Sequence, residues 1–524
     1  MATLVSPGVS VTIIDQSFYI PASATTVPLF FVATRADKKQ ADGVTAALYV
    51  KEHSIVRTIT SLNASVQGYG VPYFWTDNSG APQHGDCRNE YGLFALNQAL
   101  SVLSYAYVVR CHIDTGDGPI ITLASSTPVL LGTGNGTISA PAVNQSVGNS
   151  ELWTVTATSA TNFTVSGFVS GGQSAATVGT AYNNGIVSFT ITAGTTPFQN
   201  GDVFTFLVSS TTVTAPLGAS DAAKRTSIVT ALKAEINTNP DVRTDIYEYN
   251  LLLCPGYYEV IGELLNLNLS INEEAFIIAD TPFNQMPEDT ATWALTIARQ
   301  RSQNVAYYYP HGLASNLDGT ECFVAASGIA LKTYAYSDSV AEVWFPPAGP
   351  RRGIVTGVDN VGYITGTLGT ATTFVQATLN QGQRDVLYNY LNNINPIPFF
   401  PGRGIIVFGQ KTSYSLVSAL DRVNVMRMLM MIKRDIRKAS FAFLFELNDR
   451  ITQDSIKQMI DSYLHDILIR RGLYDFVTQC DGTNNTPTTI DRNELWVDIA
   501  VKPAKAIEFI YIPIRVLTTG ATMP

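Results

Sequence analysis

A chain of 524 residues is too long for one ordinary core, so two to four domains are expected. It is 46% hydrophobic and only 14% charged, with glycine and proline numerous but without period, which excludes a disordered or collagen-like chain. A formal net charge of −9 argues against direct nucleic-acid binding, because neutralising phosphates takes a basic surface.

The low charge leaves much polar but uncharged surface, which suits a protein covered by copies of itself, although a monomer with Thr-rich β surfaces would look similar. No basic segment precedes an apolar one at Met1, and no run of about 18 apolar residues could span a bilayer. The expectation is a protein kept in the cytosol until it assembles, without membrane insertion. Cys87, Cys111, Cys254, Cys322 and Cys480 are odd in number and widely spaced, with no CxxC pair, and read as buried free thiols.

Residues 1–35 read as an N-terminal arm: Pro7 and Gly8 break the start, Val9, Val11 and Ile13 alternate with Ser10, Thr12 and Ile14 as a short strand, and Pro21 and Pro28 interrupt the stretch beyond it. The spacing of Tyr91, Phe94, Leu96, Ala99, Leu100 and Leu103 predicts a helix over 89–103, and Tyr105 to Cys111 reads as a buried strand. From about Thr115 to Leu217 the chain turns rich in Thr, Ser, Gly, Ala and Val and nearly free of Lys and Arg. Strands at Trp153 to Ala157, Phe163 to Val165, Val187 to Thr192 and Val203 to Val208, separated by turns such as Asn183-Asn184-Gly185, predict an inserted β-sandwich or barrel over 115–217. The pattern then becomes α/β. A helix at Ala222 to Ile236, a strand at Tyr249 to Cys254, a helix at Tyr258 to Leu269 and a strand at Ala275 to Ala279 form a crossover with parallel strands. Residues 36–114 and 218–375 are therefore expected to form one discontinuous middle domain.

Two large helices dominate residues 376–524. Over Leu420 to Lys438, a 100° projection puts Val425, Met428, Leu429, Met431, Ile432 and Ile436 on one arc and Arg422, Arg427, Lys433, Arg434, Arg437 and Lys438 on the other. The basic arc reads equally well as a solvated face and as a surface for an acidic partner. After Thr452, Ile456, Met459, Ile460, Tyr463, Leu464, Ile467 and Leu468 share one stripe, with Thr452 as cap and Gly472 as terminator.

No catalytic, metal or cofactor constellation emerges. His53, His84, His112, His311 and His465 are scattered, without HExxH or a Cys partner at ligand spacing. Gly132, Gly134 and Gly136 lead into no helix-forming segment that would make them a phosphate loop, so they read as a loop between strands. The adjacent acids Glu273 and Glu274 point apart and read as solvated. Pro346 to Pro350, PPAGP, reads as a rigid, donor-poor turn ending a strand.

Five segments in order carry a resemblance: VWFPPAGPRRGIVTGV at 343–358, LNQGQRDVLYNYLNNINPI at 379–397 with the glycine-bounded GRGIIVFGQKT at 402–412, VNVMRM at 423–428, LFELND at 444–449, and an aliphatic strand near the C-terminus. Together they resemble the contractile tail sheath proteins of tailed bacteriophages, with a weaker likeness at SPGVSV, 6–11. The resemblance implies an α+β multidomain protein, an α/β sheath core with extended N- and C-terminal β arms and an inserted, outward-facing all-β domain; residues 376–524 would be the conserved C-terminal core. It implies a structural, non-enzymatic virion protein that polymerises helically with itself around an inner tail tube, meets baseplate and tail terminator proteins, and contracts to drive the tube through the host envelope. Val9, Val11 and Ile13 at one end and Ile507, Phe509 and Tyr511 at the other would add strands to neighbouring subunits, and Arg427, Arg434 and Lys438 would face the acidic tube. Two alternatives are the sheath of a phage-like injection device, of pyocin or secretion type, and a virion-carried wall hydrolase with a glycan-binding insertion.

Overall fold

The computed structural model describes residues 26–77, 80–116, 120–144, 150–213, 221–296, 299–366 and 373–509. Its centre is a seven-stranded sheet in the order Val56–Ile59, Ala106–Asp114, Pro28–Thr34, Leu251–Leu253, Phe276–Asp280, Val305–Tyr309, Ile394–Pro396. All neighbours are parallel except the Val56–Ile59 edge strand. Parallel strands must be covered on both faces, and the side chains divide accordingly. Phe30, Val32, Leu251, Phe276, Ile278 and Tyr308 enter one core, while Leu29, Phe31, Leu252, Ile277, Ala279 and Tyr307 enter the other. Helices Tyr91–Ala99 and Ala326–Val340 seal the first face; Asp221–Thr238, Ile261–Ser270 and Pro287–Ala294 seal the second.

The sheet moves two boundaries expected from sequence. Pro28–Thr34, assigned to the arm, is buried along its whole length in the middle of the sheet, and Ile394–Pro396, assigned to the C-terminal core, closes its edge. The uninterrupted LFFVA run was the signal for a doubly buried strand. The expected crossover is present, Leu251 and Leu252 pairing in parallel with Phe276 and Ile277.

The insertion is a β-sandwich with a core of its own, including Trp153, Phe163, Phe189, Phe198, Phe204 and Phe206. One sheet holds Glu151–Ala157, Asn162–Gly167 and Val203–Val213; the other is built around Val187–Thr192. Phe189 from the second meets Phe206 from the first edge-on, 6.1 Å between ring centroids. Its first strand, Ile120–Ser125, pairs antiparallel with its last, Val213 opposite Ile120, so the chain enters and leaves side by side.

Gly132, Gly134 and Gly136 lie between the strands Val129–Leu131 and Thr137–Ile138, as expected. The amides of Thr133 and Gly134 do point at an anion, and that anion is the chain's own Asp202 carboxylate, at 2.9 and 3.0 Å. A Cβ on Gly132 would lie 2.2 Å from it.

Candidate functional site in the C-terminal domain

The two predicted helices span Val423–Ser440 and Arg450–Ile469. They pack on each other and on Trp344 through Met428, Ile432, Ile456, Met459, Ile460, Leu464 and Ile467. The second is capped by Asp449, whose carboxylate accepts the Thr452 amide at 2.9 Å, so Thr452 receives the cap instead of supplying it. Its end is turned by Arg471 at φ +70°, and Gly472 serves a different purpose: a Cβ there would lie 2.5 Å from Ile467 Cγ2 and 3.0 Å from the Trp344 ring. Trp344 fixes the domain on both sides, its indole N–H donating to the Arg470 carbonyl at 3.1 Å and its own carbonyl accepting from Asn424 at 3.0 Å.

The segment after Trp344 is a turn that runs into the single helical turn Gly349–Arg352, and no strand precedes it. Gly349 donates to the Val407 carbonyl and Val407 to that of Gly353, which ties PPAGP to the Gly404–Ile405 region. The LNQGQRDVLYNYLNNINPI motif resolves into a helix, Gln381–Tyr388, opened by a reciprocal Asn380–Gln383 capping box, and then the buried strand Ile394–Pro396. Asn395 within that strand donates to the carbonyls of Tyr307 and Lys411 and accepts the Lys411 amide.

The basic arc of the first helix does not form an open face, which corrects the expectation for Arg427 and Arg434. Arg427 is buried against Asp338, with an Nη1–Oδ1 distance of 3.1 Å, and lies 4.8 Å from the Tyr334 ring centroid. Burial opposes its charge and the Asp338 carboxylate outweighs that, holding the guanidinium above its ordinary value. Arg434 is buried with its Nε 3.9 Å from Asp435. Arg437 binds Glu274 at 2.6 Å and Lys438 binds Glu248 at 2.5 Å, both acids of the middle domain. Glu274 is consequently buried, and Glu273 accepts from Asn304 at 2.9 Å, so neither acid is simply solvated. A helical projection marks a basic side but cannot tell that the same chain folds acids against it.

After the second helix, Leu473–Gln479 and Asp498–Pro503 pair antiparallel and form a sheet of two strands. Asn485 braces the connection, donating to the Trp496 carbonyl at 2.8 Å and accepting the Trp496 amide at 2.7 Å. Beside Asp498–Pro503 lies an apolar groove of about 390 Å³, lined by Leu429, Ile432, Ile436, Ile499 and Val501, with Lys433 and Arg437 at its rim. The tail then runs on without a strand partner among the described residues. Glu508 turns inward to grip Arg422, at 2.7 and 3.1 Å, while Ile507 and Phe509 point out, 83% and 67% exposed. Val9, Val11, Ile13 and Tyr511 lie outside the described residues.

Other titratable groups serve the interior. All five cysteines are buried and free, as the sequence implied; burial lifts the Cys87 and Cys111 thiols to about 12. His311 is fully buried, accepts the Ala326 amide at 3.1 Å, and is pushed down to about 3 by desolvation. His53 and His112, distant in sequence, stack with ring centroids 3.9 Å apart, a pairing that no spacing rule reveals. Among the described residues, no three His, Cys, Asp or Glu side chains converge as metal ligands.

A model of the phage tail sheath C-terminal domain matches residues 417–516, which contain both helices, the two-stranded sheet and the tail. Over this region the chain is similar to phage tail sheath proteins. The tail sheath protein of Vibrio phage KVP40 is 40% identical over 187 residues, that of Enterobacteria phage T4 35% identical over 187. Each match covers 36% of this chain and 26% of the relative, so the chain matches about a quarter of the length of these curated relatives. Among solved structures, the contracted helical sheath of the anti-feeding prophage aligns over 98% of this chain and 99% of that one, with a TM-score of 0.55 and 16% identity. The contracted PVC sheath complex of an extracellular contractile injection system aligns over 98% of both chains, at a TM-score of 0.53 and 15% identity. The mixed α/β architecture is therefore a fold shared with contractile sheaths.

Proposed function

We propose that this chain is the structural subunit of a contractile phage tail sheath, polymerising helically around an inner tail tube and contracting to drive that tube through the host envelope during genome delivery. One observation carries the reading: among the described residues, the sheath-like C-terminal domain ends in a sheet of two strands, each with a free edge, and a tail that leaves with Ile507 and Phe509 outward. A two-stranded sheet alone is marginal in water and is completed by further strands. In this proposal the Val9–Ile14 and Ile507–Val516 segments of neighbouring copies supply them, and aliphatic side chains of an incoming arm settle into the groove beside Ile499 and Val501. Contacts of that head-to-tail kind propagate as a helix instead of closing.

Persisting augmented sheets on extended connections let subunits rotate and slide without separating. Contraction then runs on surface newly buried between copies: at ~25 cal/mol per Å2, on the order of a few hundred Å2 per subunit gives several kcal/mol, repeated over every copy. No nucleotide or cofactor enters, and the subunit acts mechanically, without catalysis. Baseplate and terminator proteins bound the tube at its ends, and the extended state persists kinetically until the baseplate releases it.

Electron microscopy of the concentrated protein tests this. Striated hollow tubes are expected; compact particles that degrade peptidoglycan would instead support a wall hydrolase. A phage-like injection device is the second reading, because one of the contracted sheaths that share the fold is that of an extracellular contractile injection system. Tubes attached to DNA-filled heads in producing cells decide for the phage, and headless tubes for the device.

A further inference from the structure

The tail beyond the two-stranded sheet is extended, and it is fastened to the subunit at both ends of a short run. The Ala504 amide donates to the Gly472 carbonyl at 3.0 Å. From there Ala504, Ala506 and Glu508 are half-buried while Lys505, Ile507 and Phe509 are exposed, the alternation of a strand laid along the subunit's own surface.

Glu508 closes the run. Its two carboxylate oxygens accept from Arg422 Nε and Nη2 at 2.7 and 3.1 Å, a planar two-point grip, and Oε1 also accepts from Gln410 Nε2 at 3.1 Å. The third guanidinium nitrogen, Nη1, is held by Asp421 at 2.8 Å, which keeps Arg422 from swinging away with the tail. Lys411 stands behind, its Nζ 4.3 Å from the Tyr388 ring centroid and bonded to the Tyr388 carbonyl at 2.5 Å. Burial and Arg422 push the Lys411 ammonium below its ordinary value, and Glu508 and Asp421 oppose them. Several groups from separate parts of the C-terminal domain therefore converge on one acid of the tail.

This contact adds neither a strand pair nor apolar burial to the single chain. Residues 504–509 have no strand partner among the described residues, and Ile507 and Phe509 stay outward. The subunit thus orders, with specific polar contacts, a segment that its own core does not use. A bidentate pair fixes direction as well as place. An arm whose root is already ordered loses less conformational freedom when it joins another copy.

We propose that Glu508 is a positioning residue, whose grip on Arg422 sets the line along which the C-terminal arm leaves its subunit to meet the neighbouring copy. The inference rests on the strand-exchange reading above. A fixed root also passes the rotation of a contracting subunit to its arm, where a loose joint would absorb it.

Glu508→Gln keeps the shape and removes the charge, leaving Arg422 and Lys411 to repel each other with Asp421 alone to offset them. In dilute, unpolymerised full-length protein, trypsin is expected to cut after the exposed Lys505 about tenfold faster in this variant, as read by mass spectrometry. The concentration needed for tubes is expected to rise about tenfold while the subunit melts as the parent does. Glu508→Asp, which retains the charge, should recover part of both effects, and Arg422→Gln/Glu508→Gln should be no worse than Glu508→Gln alone, because the two residues act through one contact. Parent-like cleavage at Lys505 in Glu508→Gln would overturn the grip, and faster cleavage with tubes at the parent's concentration would overturn its positioning role; both leave the sheath reading standing. A melt that falls together with tube formation would make Glu508 a structural residue and overturn the proposal as well. A parent chain that forms no tubes would remove the reading beneath this inference, and the inference with it.

Discussion

The inserted sandwich and the C-terminal hairpin are both antiparallel β structure, yet they solve the problem of burial in opposite ways. The sandwich surrounds Trp153, Phe163 and Phe206 with two sheets and satisfies its buried acids locally. The hairpin stops at two strands among the described residues, lies beside an apolar groove, and adjoins a helix connection that exposes Phe441, Leu444, Phe445 and Leu447. Exposed apolar surface of this density marks a region finished by another molecule. The sandwich thus closes a core of its own, whereas the hairpin region leaves apolar side chains exposed in the single chain, as the proposed assembly requires.

The largest expected effect breaks the incomplete region. Removing residues 2–16, or placing proline at Val11, should leave subunits that melt cooperatively and yet form no long tubes, because the proposed strand exchange joins two copies through four or five ladder bonds at ~0.5–1.5 kcal/mol each. Proline at Phe509 or Tyr511 should act alike. Light scattering read beside thermal melts checks this, and normal tubes from the arm-deleted protein would refute strand exchange.

Next in size are changes where the C-terminal domain is fastened to the rest. Trp344→Ala should cost about 3–5 kcal/mol in urea unfolding, since the indole fills the space between helix ends and Gly472. Asp338→Asn should cost about as much by stranding a buried guanidinium, whereas Asp338→Leu combined with Arg427→Met should recover most of the loss. A double variant as unstable as the single would show that the pair does more than neutralise itself.

A smaller effect concerns the middle domain. His311 stays neutral when folded down to about pH 3, while the unfolded chain takes up its proton near 6.5. Unfolded chains then bind more protons across that window, so His311 contributes stability above 6.5 that is lost as pH falls. His311→Phe should flatten the pH slope of the unfolding midpoint between pH 6 and 4, whatever its absolute stability; an unchanged slope would exclude this histidine as its cause.

The smallest expected effect tests the self-contained region. Replacing residues 115–217 with a short Gly/Ser linker should leave the rest folded and still able to form tubes, because Ile120–Ser125 and Val203–Val213 leave side by side.

Several of these features were legible from local pattern alone. Val187–Thr192 falls where alternation placed it, and the Val423–Ser440 and Arg450–Ile469 helices match their apolar stripes, because period and turn chemistry are properties of neighbouring residues. The separate composition of residues 115–217 likewise marked an independent core. Other outcomes depended on residues far apart in the chain. Pro28–Thr34 became a central strand because Ala106–Asp114 and Leu251–Leu253 flank it. Arg427, Arg434 and Lys438 looked like one exposed basic face, and only the fold brought Asp338 and Glu248 against two of them and buried the third. Sequence sets, through local geometry, which faces are apolar or charged; which partner each face meets is decided by tertiary packing, where long-range contacts compete for the same surface.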